Sequence, residues 1–515
     1  MTEPANSFFM LISILLVSTA LFVYLRRKKS GSPVLPPGPS GWPIFGNMFS
    51  LGTMPHRTLA GLREKYGPVI WLRLGSIDTM AILSSRAATE FFKSQDLNFA
   101  DRADINLLRC RDYHKGSVVL APYGVYWRVM RRLLTTDMLV AKQLNETAPI
   151  RAKCVESMVA WIGEAASADK ARHGEGIHLA RFVFLMNFNL LGNLMLSSDL
   201  VDPQSKAGSE FFTAMTGLIE WAGRANIVDL FPWLRWLDLQ GLWRKMDRDM
   251  GKAMSIASDL VRERIEEKKK KKMKNGEDDD RRDFLDVLLD FEGNGKDEPA
   301  KLSEKQINTF ILELFLAGTE TTSSTIEWAL TELLLNRDSM VEVQAELSRV
   351  IGSNRKVQET DIDQLPYLQA VMKETLRLHP PVPFLVPRRA TRDTIFMGYN
   401  VPKNTQVFVN AWAIGRDPDV WEDPMAFKPE RFVGSKLDYK GQHLEFIPFG
   451  AGRRMCAGVS LAHRVLHLVL GSLLHEFDWE FDGSIDPKTI DMRDKVGVAT
   501  RKYVPLLVVP KIRAA

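Results

Sequence analysis

The chain has 515 residues, 45% of them hydrophobic, so it can bury a large core as one big domain or as two. Its charge is close to balance at +5, which gives no compositional case for nucleic acid, and its three cysteines, Cys110, Cys154 and Cys456, are too few and too scattered for a disulfide framework. They show no Cys-x-x-Cys spacing, and no zinc site is expected.

Phe8 to Leu25 is an uncharged run of eighteen residues. At about 1.5 Å per residue it makes roughly 27 Å of helix, enough to cross a bilayer core. Arg26-Arg27-Lys28-Lys29 follows at once, while the leading Met1 to Ser7 carries only Glu3. The positive-inside rule then leaves the short amino end in the lumen and the remainder in the cytosol. A cleaved signal peptide, the alternative, has positive charges before the apolar run and small residues after it, and neither is present. Asn145-Glu146-Thr147, a glycosylation-type triplet, would face the cytosol. Pro33 to Pro39 is proline-rich, stiff and extended, so residues 1–29 read as tip, anchor and basic stop, 30–40 as a hinge and 41–515 as the globular domain.

Val69 to Gly75 and Met80 to Leu83 are β-rich around a turn at Gly75-Ser76, which predicts a small sheet near the amino end. Helical periodicity then dominates, over Ala141 to Ala168, Gly208 to Ala225, Gly241 to Lys270 and Ser303 to Asn336. The expected fold is therefore mainly α with small β-sheets. Trp127 and Arg131 lie four apart in a helix opening near Tyr123, so they share a face; a cation–π surface contact is the plain reading. Phe231 to Asp238 is aromatic and broken by Pro232, a core-packed loop or a shallow membrane contact. Lys268 to Lys272, followed by Glu277 to Asp280, reads as a solvated low-complexity loop.

Ser303-Glu304-Lys305-Gln306 is a capping-box start for the long helix that carries Ala317-Gly318-Thr319-Glu320-Thr321-Thr322. Ala317 and Thr321 share a face, and a glycine in mid-helix costs roughly 1 kcal/mol against alanine, so Gly318 marks a need for space or a local distortion. A small-residue helix crossing, with Thr321 bonded to the carbonyl four back, is the alternative. Glu374 and Arg377 are three apart on a helix stopped by Pro380-Pro381. In Phe449-Gly450-Ala451-Gly452-Arg453-Arg454-Met455-Cys456-Ala457-Gly458, a cysteine sits in a glycine-rich loop before an apolar helical run, Val459 to Leu474. Loop amides and the start of that helix favour a thiolate, the glycines let backbone pass close to a flat cofactor, and Arg454 suits an anionic edge. A buried structural cysteine beside a tight turn is the alternative. A dinucleotide fingerprint fails, because its third glycine would fall on Met455.

That last stretch resembles the haem-binding loop of the cytochrome P450 family, Phe-x-x-Gly-x-Arg-x-Cys-x-Gly, at Phe449, Gly452, Arg454, Cys456 and Gly458. Ala317 to Thr322 resembles the family's Ala/Gly-Gly-x-Asp/Glu-Thr-Thr motif, Glu374 and Arg377 its Glu-x-x-Arg, and Trp127 and Arg131 its Trp-x-x-x-Arg. The proline-rich strap is similar to the hinge of microsomal members. The pattern is most like plant microsomal members of the geraniol-hydroxylase and iridoid-oxidase group.

The resemblance implies a P450 fold behind a single amino-terminal transmembrane helix in the endoplasmic reticulum, with a cytosolic catalytic domain. It implies haem b held by Cys456 as axial iron ligand, and propionates met by Trp127, Arg131, Arg388, Arg454 and Arg102. It implies proton delivery by Thr321 and Glu320 beside Ala317 and Gly318, a structural lock of Glu374, Arg377 and Arg431, and a pocket wall of Val382, Phe384, Leu385, Val386, Val498 and Ala499, with Val382 to Arg388 an extended strand. The reaction implied is monooxygenation of a small lipophile, a monoterpenoid or iridoid, with O2 and NADPH-derived electrons. A membrane-bound reductase would dock on basic residues such as Arg132 and Arg453. A phenylpropanoid, flavonoid or alkaloid hydroxylase, a haem isomerase or dehydratase, and a non-enzymatic haem binder are the alternatives.

Overall fold

The computed structural model describes residues 34–167, 176–201, 210–275, 283–296 and 298–513, together with Ser18. The predicted membrane anchor, the basic stop and the acidic run Glu277 to Asp280 lie outside the described residues.

Two adjacent β-rich runs form a hairpin, β1 (Val69–Leu74) and β2 (Ile77–Ile82), paired antiparallel from Val69 opposite Ile82 to Leu74 opposite Ile77. Gly75 turns it at φ +60°, and a Cβ there would lie 2.7 Å from the Leu230 carbonyl, so the position excludes a side chain twice over. Three more strands complete the sheet: β3 (Asp101–Arg102), β4 (Arg388–Arg389) and β5 (Gln406–Val409), in the order β1-β2-β5-β4-β3. Only β2 and β5 run parallel, because the chain between them passes through most of the helical domain. A second, three-stranded sheet joins Ile177–His178, β7 (Leu507–Ile512) and β6 (Phe477–Phe481).

The helices that frame the interior are α1 (Val125–Arg132), α2 (Ala148–Ser167), α3 (Leu179–Leu196), α4 (Glu210–Ala222), α5 (Leu242–Asn275), α6 (Glu304–Gly318), α7 (Glu320–Leu335), α8 (Arg337–Ile351), α9 (Pro366–Leu378) and α10 (Val459–Glu476). The lysine run is not a loop: residues 268–272 continue α5, and Lys268 pairs with Asp286 and Asp290 across the chain. The predicted helix from Ala141 is broken at Thr147, where α2 starts afresh with Pro149 in its first turn, a position that needs no N–H. Composition alone would let α3 cross a membrane, yet most of it is buried against α2, α6 and α7, which makes it a core helix. The Phe188 ring sits 4.5 Å from that of Phe315 and 5.2 Å from that of Phe212, and this aromatic cluster holds α3, α4 and α6 together.

The long helix begins at the predicted capping box, with the Gln306 N–H donating to Ser303 Oγ and the Ser303 N–H donating to Gln306 Oε1 at 2.8 Å. It is apolar and buried nearly all round, as a helix through the centre of a large domain must be. The end of the chain returns to its beginning, where Asp494 lies 3.0 Å from His56 Nε2 and accepts from Arg57 Nε at 2.8 Å.

Glu374 and Arg377 form a bidentate pair at 2.7 Å on α9 with neither side chain exposed, and Arg431 Nε donates to the same carboxylate at 3.0 Å. Arg377 also donates to the carbonyls of Gly415, Pro424 and Ala426, so every face of the guanidinium is occupied. A pair this deep leaves an uncompensated charge when broken. Glu374→Ala is expected to destabilise the fold by about 3–5 kcal/mol, read as a lower urea midpoint, with Asp at this position recovering little because its shorter stem cannot reach both arginines.

Candidate functional site

From Ile307 to Leu334 the central helix is buried except at Leu314, Leu316, Ala317, Gly318 and Thr321. Leu314, Ala317, Gly318 and Thr321 are spaced three and four apart, so they form one stripe. Accessible surface on a stripe of an otherwise buried helix means that the stripe faces an internal space.

The helix is interrupted at that stripe. α6 ends at Gly318 and α7 begins at Glu320, with Thr319 between them. The Gly318 carbonyl accepts from Asn187 Nδ2 of α3 at 2.7 Å and from Thr322 Oγ1 at 3.1 Å. Asn187 escapes a sequence reading, since it is one of three asparagines in an apolar helix and nothing in their spacing singles it out. A Cβ on Gly318 would lie 3.0 Å from Leu191 Cδ1, so the missing side chain allows the close approach of α3, the need for space that the sequence marks. Thr321 Oγ1 donates to the Ala317 carbonyl at 2.8 Å. Glu320 is buried, accepting from the Ala499 N–H at 3.3 Å, with Arg501 Nε 3.5 Å away. Burial raises its carboxyl above the usual range, and the charge of Arg501 pulls it part of the way back.

The cysteine loop folds on its own backbone. The Cys456 N–H donates to the Phe449 carbonyl at 3.0 Å, and Phe449 packs its ring 5.1 Å from that of Tyr439. Gly450 and Gly452 take φ of +71° and +66°, and a Cβ on Gly452 would lie 2.7 Å from Asp96. Cys456 keeps accessible surface although it lies deep in the fold, so its thiol faces an interior opening. A cleft of about 500 Å³ lined by Arg131, Leu144, Tyr439, Met455 and His463 also reaches it. A side chain on Gly458 would begin 3.8 Å from the sulfur. The sequence reading favours a thiolate on loop amides and the helix start. In the chain alone, burial outweighs the Gly458 N–H and Arg131, and the thiol is pushed up from its ordinary value.

Three arginines converge beside this loop and are held by main-chain carbonyls. Arg454 donates to Ala100, Val118 and Ala121, Arg102 to Val119 and Val386, and Arg131 to Met455. Burial lowers all three, and repulsion lowers Arg102 and Arg454 further, the latter to about 10. Arg388 differs, because it has a carboxylate of its own: Nη1 donates to Asp96 at 2.8 Å and Nη2 to the Ala451 carbonyl. The Trp127 indole N–H donates to the Val118 carbonyl at 3.1 Å, while its ring lies under the Arg454 guanidinium at 4.5 Å. The two proposed docking residues are already paired, Arg132 with Glu298 and Arg453 with Asp96.

The pocket wall departs from the sequence reading. Val382 to Pro387 is a turn, closed by the Leu385 N–H to the Val382 carbonyl with Leu385 at φ +52°, and only Arg388–Arg389 is strand. Two prolines in these six residues, Pro383 and Pro387, remove ladder donors that a strand needs. Phe384 points away, stacked 4.8 Å from Phe408 in a separate core. Leu385 lies against Gly450 of the cysteine loop, and Val382 and Val386 are half-buried. Ala499 is fully buried behind Glu320, and Val498 lies against Gly223. His463 and His467, four apart on α10, have a spacing that suits a metal, but no group of three ligating side chains exists among the described residues. His463 Nδ1 lies 2.5 Å from the Tyr439 hydroxyl instead.

Residues 36–507 match the sequence profile described as cytochrome P450. The chain is 55% identical to cytochrome P450 76A2 of Solanum melongena over 97% of each chain. It is 50% identical to iridoid oxidase of Catharanthus roseus, over 96% of this chain and 95% of the relative, and 42% identical to geraniol 8-hydroxylase of the same plant, over 95% and 96%. Among solved structures it is similar to a zebra fish cytochrome P450 with progesterone, with TM-score 0.72 and 27% identity, over 89% of this chain and 99% of that one.

Among the described residues, Arg102, Arg131 and Arg454 are held by carbonyls and not by a carboxylate. Arg454→Leu is expected to cut the stabilisation gained on adding haem by about 1.5–3 kcal/mol, the worth of a charged hydrogen bond, read as a smaller rise in melting temperature than wild type shows.

Proposed function

The chain belongs to the cytochrome P450 family as a monooxygenase of the plant type, and within it we propose a hydroxylase of a small lipophilic plant metabolite, a monoterpenoid or iridoid. The observations that support this reading are an accessible thiol in a loop flanked by carbonyl-held arginines and an accessible stripe on an otherwise buried helix. These residues fit a haem. Cys456 would supply a soft sulfur ligand to its iron, and Arg102, Arg131 and Arg454, held by carbonyls, would supply cations suited to two propionates. Arg388, already paired with Asp96, is the weakest of the four for that task. Bound through Cys456, the haem supplies dioxygen reduction with electrons that a reductase passes from NADPH.

The chain's own part is to hold protons and keep water in order. Burial raises the Glu320 carboxyl, and its neighbour Arg501 is half exposed, so a proton taken from solvent beside Arg501 can be carried by Glu320 and handed on at Thr321 Oγ1, the guanidinium keeping its charge throughout. Thr321 leaves its Ala317 partner to do so, a change that the broken turn at Thr319 makes easy. The names of the relatives, iridoid oxidase and geraniol 8-hydroxylase, support the substrate class.

Membrane attachment is part of the proposal. Trp42 and Phe49 are 67% and 64% exposed, and Trp233 and Trp236 are 59% and 81% exposed. Phe45 meets Phe231 edge-on at 6.0 Å, so these aromatics from two distant segments make one patch. A patch of this kind suits a lipid surface.

A terpenoid, phenylpropanoid and alkaloid panel in reductase-supplemented microsomes tests the substrate class; turnover of phenylpropanoids or alkaloids alone would overturn it. Thr321→Ala should leave NADPH consumption running while product per NADPH falls several-fold; unchanged coupling removes Thr321 from the relay. With residues 1–29 deleted, Trp233→Ser with Trp236→Ser should shift the protein from the vesicle pellet to the supernatant.

A further inference from the structure

Glu313 lies on α6 one turn before Ala317, is 5% exposed, and has no place in the chemistry described so far. Its carboxylate accepts from the Ser117 hydroxyl, from the Val118 N–H at 2.6 Å and from the Val119 N–H at 3.1 Å. The opposite side of the same short segment faces cations. The Val118 carbonyl accepts from Trp127 Nε1 and Arg454 Nη1, the Val119 carbonyl from Arg102 Nε at 2.9 Å, and the Ala121 carbonyl from Arg454 Nη2 at 2.5 Å. The donors of residues 117–119 thus point at one buried carboxylate, and the carbonyls of 118–121 point at two buried guanidinia. Arg102 carries the run onward to the Val386 carbonyl at 2.6 Å.

There is no slack in this arrangement. A Cβ on Gly116 would lie 2.9 Å from Thr309, so the segment is pressed directly onto the helix, and the Tyr126 hydroxyl donates to the Gly116 carbonyl at 2.7 Å. Burial lifts the Glu313 carboxyl to about 7, against the pull of its three donors and of Arg102, so holding charge here is costly and needs a return. A neutral side chain would fill the space at less cost. A carboxylate gives what a neutral residue cannot: peptide dipoles aligned between a negative and a positive centre, with each strengthening the other.

We propose that Glu313 is a positioning residue that ties three walls of the interior space together, helix α6, segment 117–121 and the turn at Val386, and so sets the place of Arg102 and Arg454 and the affinity for substrate. The kinetic arm of its test rests on the P450 reading above; the exchange arm does not.

Glu313→Ala, Glu313→Gln and Ser117→Ala are compared with wild type in the haem-loaded full chain. In Glu313→Ala the Val118 and Val119 amides should exchange hydrogen about tenfold faster, as expected for a lost anchor, with the central helix unchanged. KM for the panel compound that wild type turns over should rise about tenfold while kcat stays within about twofold, the mark of lost uniform binding. Glu313→Gln, which keeps one acceptor oxygen but loses the charge and turns an amide N–H2 toward these donors, should recover only a minor part of the protection, and Ser117→Ala, which removes one donor of three, should lose less than either. Should Glu313→Ala not fold, Ser117→Ala and Glu313→Gln decide. Unchanged exchange at 117–121, or kcat and KM falling together, overturns the tie. Absence of turnover by wild type sinks the monooxygenase reading and leaves the exchange arm to decide this one.

Discussion

Guanidinium groups taken out of water must be met by oxygen, and this fold is arranged around that demand. Arg377 takes a carboxylate and three carbonyls; Arg454 takes three carbonyls and an indole face; Arg102 bridges two loops. Where a carboxylate is supplied, as to Arg377 and Arg388, the arginine is neutralised within the chain. Where only carbonyls are supplied, the charge is solvated but not neutralised, and the surplus sits beside the cysteine. The placement of counter-charges therefore separates the part of the interior that holds the fold from the part prepared for a ligand.

The central helix follows the same logic in its backbone. An unbroken helix would pair the Gly318 carbonyl within its own ladder and present a smooth wall. Asn187 from a neighbouring helix takes that carbonyl instead, and the turn at Thr319 opens. Beside it stand two successive polar residues with different surroundings, Glu320 buried and Thr321 on the stripe. One faces the carboxyl-terminal segment at Ala499 and Arg501, and the other faces the interior.

What a single sequence conveys follows the range of the interaction. The hairpin at Gly75, the cap at Ser303, the glutamate and arginine three apart on α9 and the glycine-rich cysteine loop are written in neighbouring residues, and could be read directly. Asn187, Leu191 and Glu313 act across more than a hundred residues and leave no periodic trace, so the sequence marks Gly318 as a place of close approach without showing which neighbour comes near. The lysine run misled because composition was weighed over helix propensity, and lysine is a good helix former when Asp286 and Asp290 wait alongside. Phe384 misled because an apolar run near a pocket need not face it.

The pairing of Asp494 with His56 and Arg57 spans 438 and 437 positions, whereas Arg377 reaches its carbonyl partners within 38 to 49. Loop closure is easier over short spans, so the lock can form as a local knot early on. On a ribosome His56 would emerge hundreds of residues ahead of its acceptor, and would have to wait, buried partner missing, until translation reached Asp494. The contact between the helix Pro55–Gly61 and Asp494 is thus a seam sewn at the end of synthesis, and its closure is the step at which a truncated chain would betray itself.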